Sequence, residues 1–143
     1  MKKFLLLNGP NLNLLGQREP GIYGSETLEL LENNMKHLGA SAEIEIDCFQ
    51  SNHEGALIDK LHDAGAQKIS GVIFNPGAFT HYSYAIRDAI AAINVPVIEV
   101  HISNVHAREE FRHHSVISAV TRGQIVGLGL KGYELAFHAL KDL

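Results

Sequence analysis

The sequence predicts an α/β fold, a doubly wound five-stranded parallel sheet with helices on both faces. Short apolar runs of strand length alternate along the chain with segments of helical periodicity, and strict alternation of this kind is typical of parallel sheets. The chain has 143 residues, of which 45% are hydrophobic and 20% charged, as in a single domain with a packed core. We therefore expect residues 1–143 to form one domain.

Each predicted strand rests on an apolar or alternating run. The first run is apolar throughout, whereas residues 42–48 alternate apolar with acidic side chains, the pattern of a strand exposed on one face at a sheet edge. An outer position for the second strand fits the order 2-1-3-4-5 of flavodoxin-like folds. The five predicted strands are residues 3–8, 42–48, 71–75, 97–101 and 124–128.

The predicted helices occupy the segments between the strands. The first is predicted to begin at a capping Ser25, to carry an apolar stripe to Leu38 and to stop at Gly39. A second helix is predicted to follow Asn52 and to end near Gly65. A loop rich in glycine and proline precedes the first helix over residues 9–24. The remaining helices are predicted over residues 80–93, 104–112 and 133–143.

Composition and motifs argue against several functional classes. A formal net charge of −4 argues against a nucleic-acid or membrane-surface partner. The single cysteine, Cys48, excludes an internal disulfide, fits a cytoplasmic protein and is expected to pack in the core. Residues 127–132 match a dinucleotide fingerprint but lack its following strand, so we expect a tight turn into the last helix. The histidines match no standard zinc spacing, so we expect no metal site.

Polar side chains follow the first four predicted strands, at the point where each strand ends. The carboxyl ends of parallel strands share one edge of the sheet, and ligands bind outside that edge in such folds. The sequence therefore predicts a small-molecule site there. Its candidate residues are Asn8, Asn11, Asn13, Arg18, Tyr23, Gln50, Asn52, His53, Glu54, Asn75, His81, Glu99, His101, Ser103, Asn104, Arg108 and Arg112.

Four stretches, in this order, resemble the type II 3-dehydroquinate dehydratases of the shikimate pathway. They are LNGPNLNLLG from Leu7 with residues 18–24, FQSNHEG from Phe49, NPGAFTH from Asn75, and EVHISN from Glu99 with residues 108–113. The resemblance spans nearly the whole chain. It implies a cytoplasmic hydro-lyase of aromatic amino-acid and chorismate biosynthesis, with one catalytic domain over residues 1–143, no cofactor and a homododecamer of four trimers. The implied reaction converts 3-dehydroquinate to 3-dehydroshikimate and water through an enolate.

The resemblance implies Tyr23 as the catalytic base. Free tyrosine has a pKa of about 10, so the residue can act at neutral pH only if nearby positive charge favours tyrosinate. Arg18 on the same loop and Arg108 after the fourth strand could supply that charge together. We also expect residues 17–24, which carry Arg18 and Tyr23, to form a mobile lid.

The resemblance implies His101 as the proton donor to the departing hydroxyl. Glu99 lies two residues away on the same strand, so its side chain should point to the same side and orient the imidazole. Asn11 is implied to help hold the enolate oxygen. The implied substrate contacts are Asn75 with the amides of Ile102 and Ser103 for the carboxylate, His81 and Arg112 for ring hydroxyls, and Asp88 acting in a neighbouring subunit's site.

Two other functional classes remain open from the residues alone. One is a different lyase or isomerase for a hydroxy acid on the same fold. The other is a non-catalytic anion-binding module, such as a flavoprotein or signalling domain. A flavin module needs aromatic rings to stack on the flavin, and the predicted rim offers mainly Tyr23. A signalling receiver needs clustered aspartates after its first strand, where this chain has asparagines.

Overall fold

Five parallel strands form one sheet in the order β2-β1-β3-β4-β5, which confirms the predicted order. The structure is a computed structural model, and it describes residues 1–17, 21 and 25–143. The strands are β1 (Lys2–Asn8), β2 (Ile44–Gln50), β3 (Gly71–Asn75), β4 (Val97–His101) and β5 (Gly123–Val126). The two central strand predictions, β3 and β4, match the observed limits.

The helices in the described part of the chain cover both faces of the sheet, as predicted. They are α1 (Leu28–Ser41), α2 (Glu54–Gln67), α3 (Tyr84–Ala91) and α4 (Lys131–Lys141). Side chains alternate across β1, so Phe4 and Leu6 join α1 and α4 in one apolar cluster. Leu5 and Leu7 join α2 and α3 in the other cluster. Each face of the central strands is therefore buried under a pair of helices.

The limits predicted for the first helix were wrong at both ends. The Oγ1 of Thr27 accepts from the backbone N–H of Leu30 at 3.2 Å, so Thr27 rather than Ser25 caps α1. Gly39 does not stop the helix, which continues to Ser41. A Cβ built on Gly39 would lie 2.5 Å from the backbone oxygen of Ile44, so this glycine lets the helix approach β2 closely.

Two further predicted helices were wrong in type or extent. Residues 80–93 are divided into a 3₁₀ turn, Gly77–His81, and α3, because the hydroxyl of Ser83 caps a new helix by accepting from the Ile86 N–H. Residues 104–112 form no α-helix, since two short 3₁₀ turns, Val105–Ala107 and Glu110–His113, occupy that segment. Both segments lie beside the carboxyl ends of the strands.

The remaining predictions shift by a few residues. The alternating strand begins at Ile44, and it lies at the sheet edge as predicted. Cys48 on that strand is half-buried and packs against the core, which confirms its predicted role. Residues 127–130 turn from β5 into the last helix, with Gly127 and Gly129 at positive φ. Within the described ranges, no helix has the length and apolarity that crossing a membrane requires.

Candidate active site

A cavity of about 270 Å³ opens beside the carboxyl ends of β1, β3 and β4. Its walls come from residues far apart in sequence, because the parallel strands all end at this edge. It brings together eight of the twelve residues that the resemblance singled out. These eight are Asn11, Asn75, His81, His101, Ile102, Ser103, Arg108 and Arg112.

A ninth predicted residue, Glu99, lies directly behind His101. The Nε2 of His101 lies 2.5 Å from the Oε2 of Glu99, and the two side chains are 10% and 1% exposed. Burial, the largest influence, raises the pKa of Glu99, but the hydrogen bond from His101 and the charge on that ring lead the effects that lower it. The pKa of Glu99 therefore lies below its ordinary value. A carboxylate here fixes the proton on Nε2 of His101, so Nδ1 is the nitrogen that can gain and release a proton.

Asn75 is held from both ends of its amide. Its Oδ1 accepts from the N–H of Gly77 at 3.0 Å, and its Nδ2 donates to the hydroxyl of Tyr133 at 2.9 Å. The Tyr133 hydroxyl in turn donates to the Oδ1 of Asn8 at 2.7 Å. These bonds fix the orientation of the Asn75 amide and leave one N–H of Nδ2 available to an acceptor in the cavity.

The amides of Ile102 and Ser103 follow directly after β4. Among the described residues, neither amide donates to a protein acceptor. The carbonyl of Ile102 accepts from the N–H of Gly129 at 3.0 Å, which fixes the peptide that carries the Ser103 amide. The helix predicted over residues 104–112 does not follow these amides, since a 3₁₀ turn begins there at Val105. The two amides and the Asn75 Nδ2 group nevertheless offer donors to an anion at one wall of the cavity.

His81 and Arg112 lie on adjacent walls, and Phe111 contacts both. The Nδ1 of His81 lies 2.8 Å from the backbone oxygen of His114, which fixes Nε2 as the ring's acceptor when His81 is neutral. Burial, first, and the charges on His101 and Arg112 lower the pKa of His81, although the bond to His114 opposes them. The guanidinium of Arg112 lies 4.7 Å from the centre of the Phe111 ring.

Glu109 and Asn52 hold two cavity residues in place; Asn52 was among the predicted site residues, whereas Glu109 was not. Glu109 accepts from Nε of Arg112 at 3.1 Å, and this bond leads the effects that lower the pKa of Glu109. The Oδ1 of Asn52 accepts from the backbone N–H of Asn11 at 3.0 Å. Asn11 itself has a positive φ of 70°, so the Asn52 bond holds it in an uncommon conformation.

Arg108 is a largely buried cation at the cavity wall. Its side chain is 13% exposed, its Nη1 donates to the Ser103 hydroxyl at 3.1 Å, and its Nε lies 3.8 Å from Oε1 of Glu109. A guanidinium in this position supplies fixed positive charge to the cavity.

Of the remaining residues that the resemblance singled out, Asp88 does not line the cavity of its own chain. Asp88 lies on α3 with its side chain 73% exposed and paired with Arg87 at 2.9 Å. Arg18 and Tyr23, and with them most of the predicted lid over residues 17–24, lie outside the described residues. No cluster of three or more potential metal ligands occurs within residues 1–17, 21 and 25–143.

A larger groove of about 580 Å³ lies elsewhere on the molecule, between the ends of α2 and α3. Its lining is mostly apolar, with His62 and Lys68 as its ionisable groups. It contains none of the residues predicted for the site. The smaller cavity is therefore the better candidate for the active site, because it combines donors for an anion with the buried Glu99–His101 pair.

Tyr133, Thr80 and Ser118 are buried or half-buried polar residues that the sequence analysis missed. Tyr133 contacts Asn75 from the last helix, 58 residues further along the chain, and no sequence pattern links the two. Thr80 and Ser118 donate to Glu99. Thr80 could have been suspected, because it directly precedes His81 in the NPGAFTH stretch.

Comparisons with known proteins show which family this chain resembles. The family described as dehydroquinase class II matches residues 2–141. A protein named 3-dehydroquinate dehydratase from Bacillus mycoides is 63% identical over 142 residues, which cover 99% of this chain and 97% of that protein. The crystal structure of the type II dehydroquinase from Butyrivibrio crossotus is similar with a TM-score of 0.96 and 56% identity, covering 98% and 97% of the two chains. That of the type II dehydroquinase from Propionibacterium acnes gives 0.97 and 46%, covering 100% and 98%.

Proposed function

The chain belongs to the class II dehydroquinase family and is a hydro-lyase, and we propose that it converts 3-dehydroquinate to 3-dehydroshikimate through an enolate, with Tyr23 as base and His101 as acid. The observation that carries the proposal is the buried Glu99–His101 pair at the wall of a cavity rich in donors. Residues 1–143 would form the single catalytic domain of this reaction.

The proposed elimination has two steps. The base first takes a proton from the carbon beside the ketone, and the bonding electrons move onto the ketone oxygen to give an enolate. The enolate then re-forms the ketone, a carbon–carbon double bond forms, and the hydroxyl on the next carbon leaves with a proton as water. Such a reaction needs a base, an acid and stabilisation of the enolate oxygen.

His101 is suited to the role of acid. Its Nε2–H is held by the buried Glu99 carboxylate, which keeps the ring oriented and in one tautomer. A proton on Nδ1 is then the one that passes to the departing hydroxyl. His101→Gln should therefore abolish turnover while the protein keeps its fold.

Tyr23 is proposed as the base because, by the resemblance, it corresponds to the catalytic tyrosine of this family. Arg108 supplies positive charge at the cavity wall, and Arg18 is proposed to add to it, so that tyrosinate forms more readily. Asn11 is proposed to hold the enolate oxygen, directly or through a water molecule. Its backbone is fixed by Asn52, which supports a positioning role for this residue.

The substrate carboxylate is proposed to bind Nδ2 of Asn75 and the amides of Ile102 and Ser103. The free donors described above support this assignment, since an anion would satisfy all three. His81 and Arg112 are proposed to hold ring hydroxyls. The neutral form of His81 is favoured by its lowered pKa, and it offers Nε2 as an acceptor.

Ultraviolet absorbance tests the proposal directly, because the conjugated product absorbs and the substrate does not. Mixing the purified protein with 3-dehydroquinate should increase the absorbance. Tyr23→Phe should bind substrate but lose nearly all turnover, since it removes a group that acts in the transition state. Near-normal turnover by a folded Tyr23→Phe protein would remove this residue from the base role.

Assembly, cellular location and pathway are further parts of the proposal. We propose a homododecamer of four trimers acting in the cytoplasm in the shikimate pathway, with neither nucleic acid nor membrane as a partner. The exposed position of Asp88, away from its own cavity, supports action in a neighbouring subunit's site. Light scattering should give a mass many times 15.7 kDa, and Asp88→Ala should weaken substrate affinity. A fully active monomer would contradict this arrangement.

A further inference from the structure

We propose that Thr80 and Ser118 are positioning residues for the Glu99–His101 pair. Their hydroxyl groups hold Glu99 as the carboxylate that orients His101. The inference rests on the proposed function, because it takes His101 to be the proton donor. Neither hydroxyl contacts the substrate cavity described above, so both residues would act only through Glu99.

Both oxygens of Glu99 accept hydrogen bonds from hydroxyl groups. The Oγ1 of Thr80 lies 2.6 Å from Oε2, the oxygen that His101 also contacts. The Oγ of Ser118 lies 2.8 Å from Oε1. The carboxyl group is 1% exposed, so these protein donors stand in the place that water would occupy around an exposed carboxylate.

The direction of the hydrogen bond between Thr80 and Glu99 follows from Ser115, whose hydroxyl also contacts Thr80. The hydroxyl oxygen of Ser115 accepts from the N–H groups of Ile117 at 3.1 Å and Ser118 at 3.0 Å. A hydroxyl oxygen has two lone pairs, so both are occupied and Ser115 must donate its proton to Thr80, 2.7 Å away. The Thr80 oxygen accepts this hydrogen bond, and the Thr80 hydroxyl donates to Glu99.

Glu99, when ionised, therefore accepts hydrogen bonds from Thr80, Ser118 and His101. An ionised carboxylate accepts from all three groups, whereas a protonated one accepts less well at the oxygen that carries its proton. Burial alone favours the protonated form, and it is the largest influence on the pKa of Glu99. The hydrogen bonds from His101, Thr80 and Ser118 oppose burial and, with the charge on His101, bring the pKa below its ordinary value.

The sign of the expected effect follows from this balance. Removing a donor to the ionised form raises the pKa of Glu99, so the group takes up its proton at a higher pH. A protonated Glu99 no longer holds the Nε2 proton of His101, and kcat falls. The acid limb of the kcat profile should then move to higher pH by about one unit for each hydroxyl removed, because hydrogen bonds to charged groups are strong.

The hydroxyl variants do not replace any of the other ionisable residues around Glu99. His101 lies on the same strand and His81 on the neighbouring 3₁₀ turn. A second cavity of about 300 Å³ also reaches Glu99 and His101. Its other ionisable residues, among those described, are His81, Arg112, His106, His113 and His114. A shift common to both hydroxyl variants would therefore come from the lost donors.

The experiment compares Thr80→Val and Ser118→Ala with two matched variants. Thr80→Ser keeps the donor and should keep the wild-type acid limb. Thr121→Val removes a hydroxyl from the same turn as Ser118, but one that donates to the Ser118 carbonyl at 2.8 Å, and should leave the limb unmoved. KM for 3-dehydroquinate should stay within about twofold in all four, because none of these hydroxyls lies at the cavity.

Infrared titration supplies a second readout that needs no turnover. The carbonyl band of protonated Glu99, identified by its loss in Glu99→Gln, should appear at higher pH in Thr80→Val and in Ser118→Ala than in the wild type. If both variants keep the wild-type infrared titration, the inference is wrong, whatever their thermal stability. An inactive wild type would instead overturn the proposed function, and the infrared titration would still decide the role of the two hydroxyls.

Discussion

Replacing Tyr133 with phenylalanine isolates one buried hydroxyl from the packing around it. The Tyr133 side chain is fully buried, and its ring belongs to the apolar cluster under α1 and α4. Phenylalanine has the same ring, so Tyr133→Phe keeps the apolar contacts. The substitution removes the only group that bridges the Oδ1 of Asn8 and the Nδ2 of Asn75 in the described structure.

Two buried polar groups would then lack a partner. Asn8 and Asn75 are 0% and 4% exposed, so water does not readily replace the lost hydroxyl. A buried donor or acceptor left without a partner costs about 1–3 kcal/mol, so the loss for both groups should lower the free energy of unfolding by about 2–6 kcal/mol. The Asn75 side chain keeps its bond from Gly77, whereas the Asn8 side chain keeps none in the described structure, because its Nδ2 already has no partner there.

Urea unfolding at one fixed protein concentration measures the change, because assembly would make apparent stability depend on concentration. The control is Tyr82→Phe, which removes a hydroxyl from a ring that is 60% exposed and should alter stability by less than about 0.5 kcal/mol. KM for 3-dehydroquinate should rise in Tyr133→Phe while kcat changes less, because Asn75 would be less firmly held. Equal stability and equal KM in Tyr133→Phe and the wild type would refute the reasoning.

Two further predictions concern the fold. Gly39→Ala should lower the free energy of unfolding by about 1–3 kcal/mol, because its Cβ would meet the Ile44 oxygen at 2.5 Å and overpacking outweighs the gain in helix propensity. Gly55→Ala, on α2 with open space around its Cβ, should be neutral or stabilising, and equal urea midpoints for the two variants would contradict the packing argument. Burial raises the pKa of Cys48 to about 12, so a thiol reagent at pH 8 should label the folded protein slowly and the unfolded protein fast. Fast labelling of the folded protein would show that the thiol is accessible as thiolate.

The strand order could be predicted because each strand has its own local signal. The alternating pattern before Cys48 placed β2 at one edge, and the apolar runs of β1, β3 and β4 fit inner positions, whereas β5 took the other edge from the flavodoxin-like order. Helix limits were harder, since they depend on contacts that no local pattern contains. Gly39 is normally a stop signal, but here the backbone of Ile44 lies so close that only glycine fits, and the helix continues through it.

For the candidate site, the sequence predicts the residues that line the cavity better than the residues that hold them in place. Side chains that follow strand ends, such as Asn75 and His101, are visible in the sequence because the strands themselves are. The residues that hold them come from other segments: Tyr133 from the last helix and Ser118 from a turn before β5. Their roles depend on distances of less than 3 Å across the fold, and the sequence contains no spacing rule for such contacts.

The position of Glu99 explains why its support must come from elsewhere in the chain. β4 lies between β3 and β5, so a carboxylate near its end is enclosed by neighbouring strands and cannot be solvated directly. A strand offers no further side chains at that point except His101, two residues on. The remaining donors must therefore approach from loops, and Thr80 and Ser118 do so from turns on either side in sequence. The ionisation of this carboxylate thus depends on three separate segments, and Thr80 and Ser118 can be altered without replacing a residue that lines the candidate cavity.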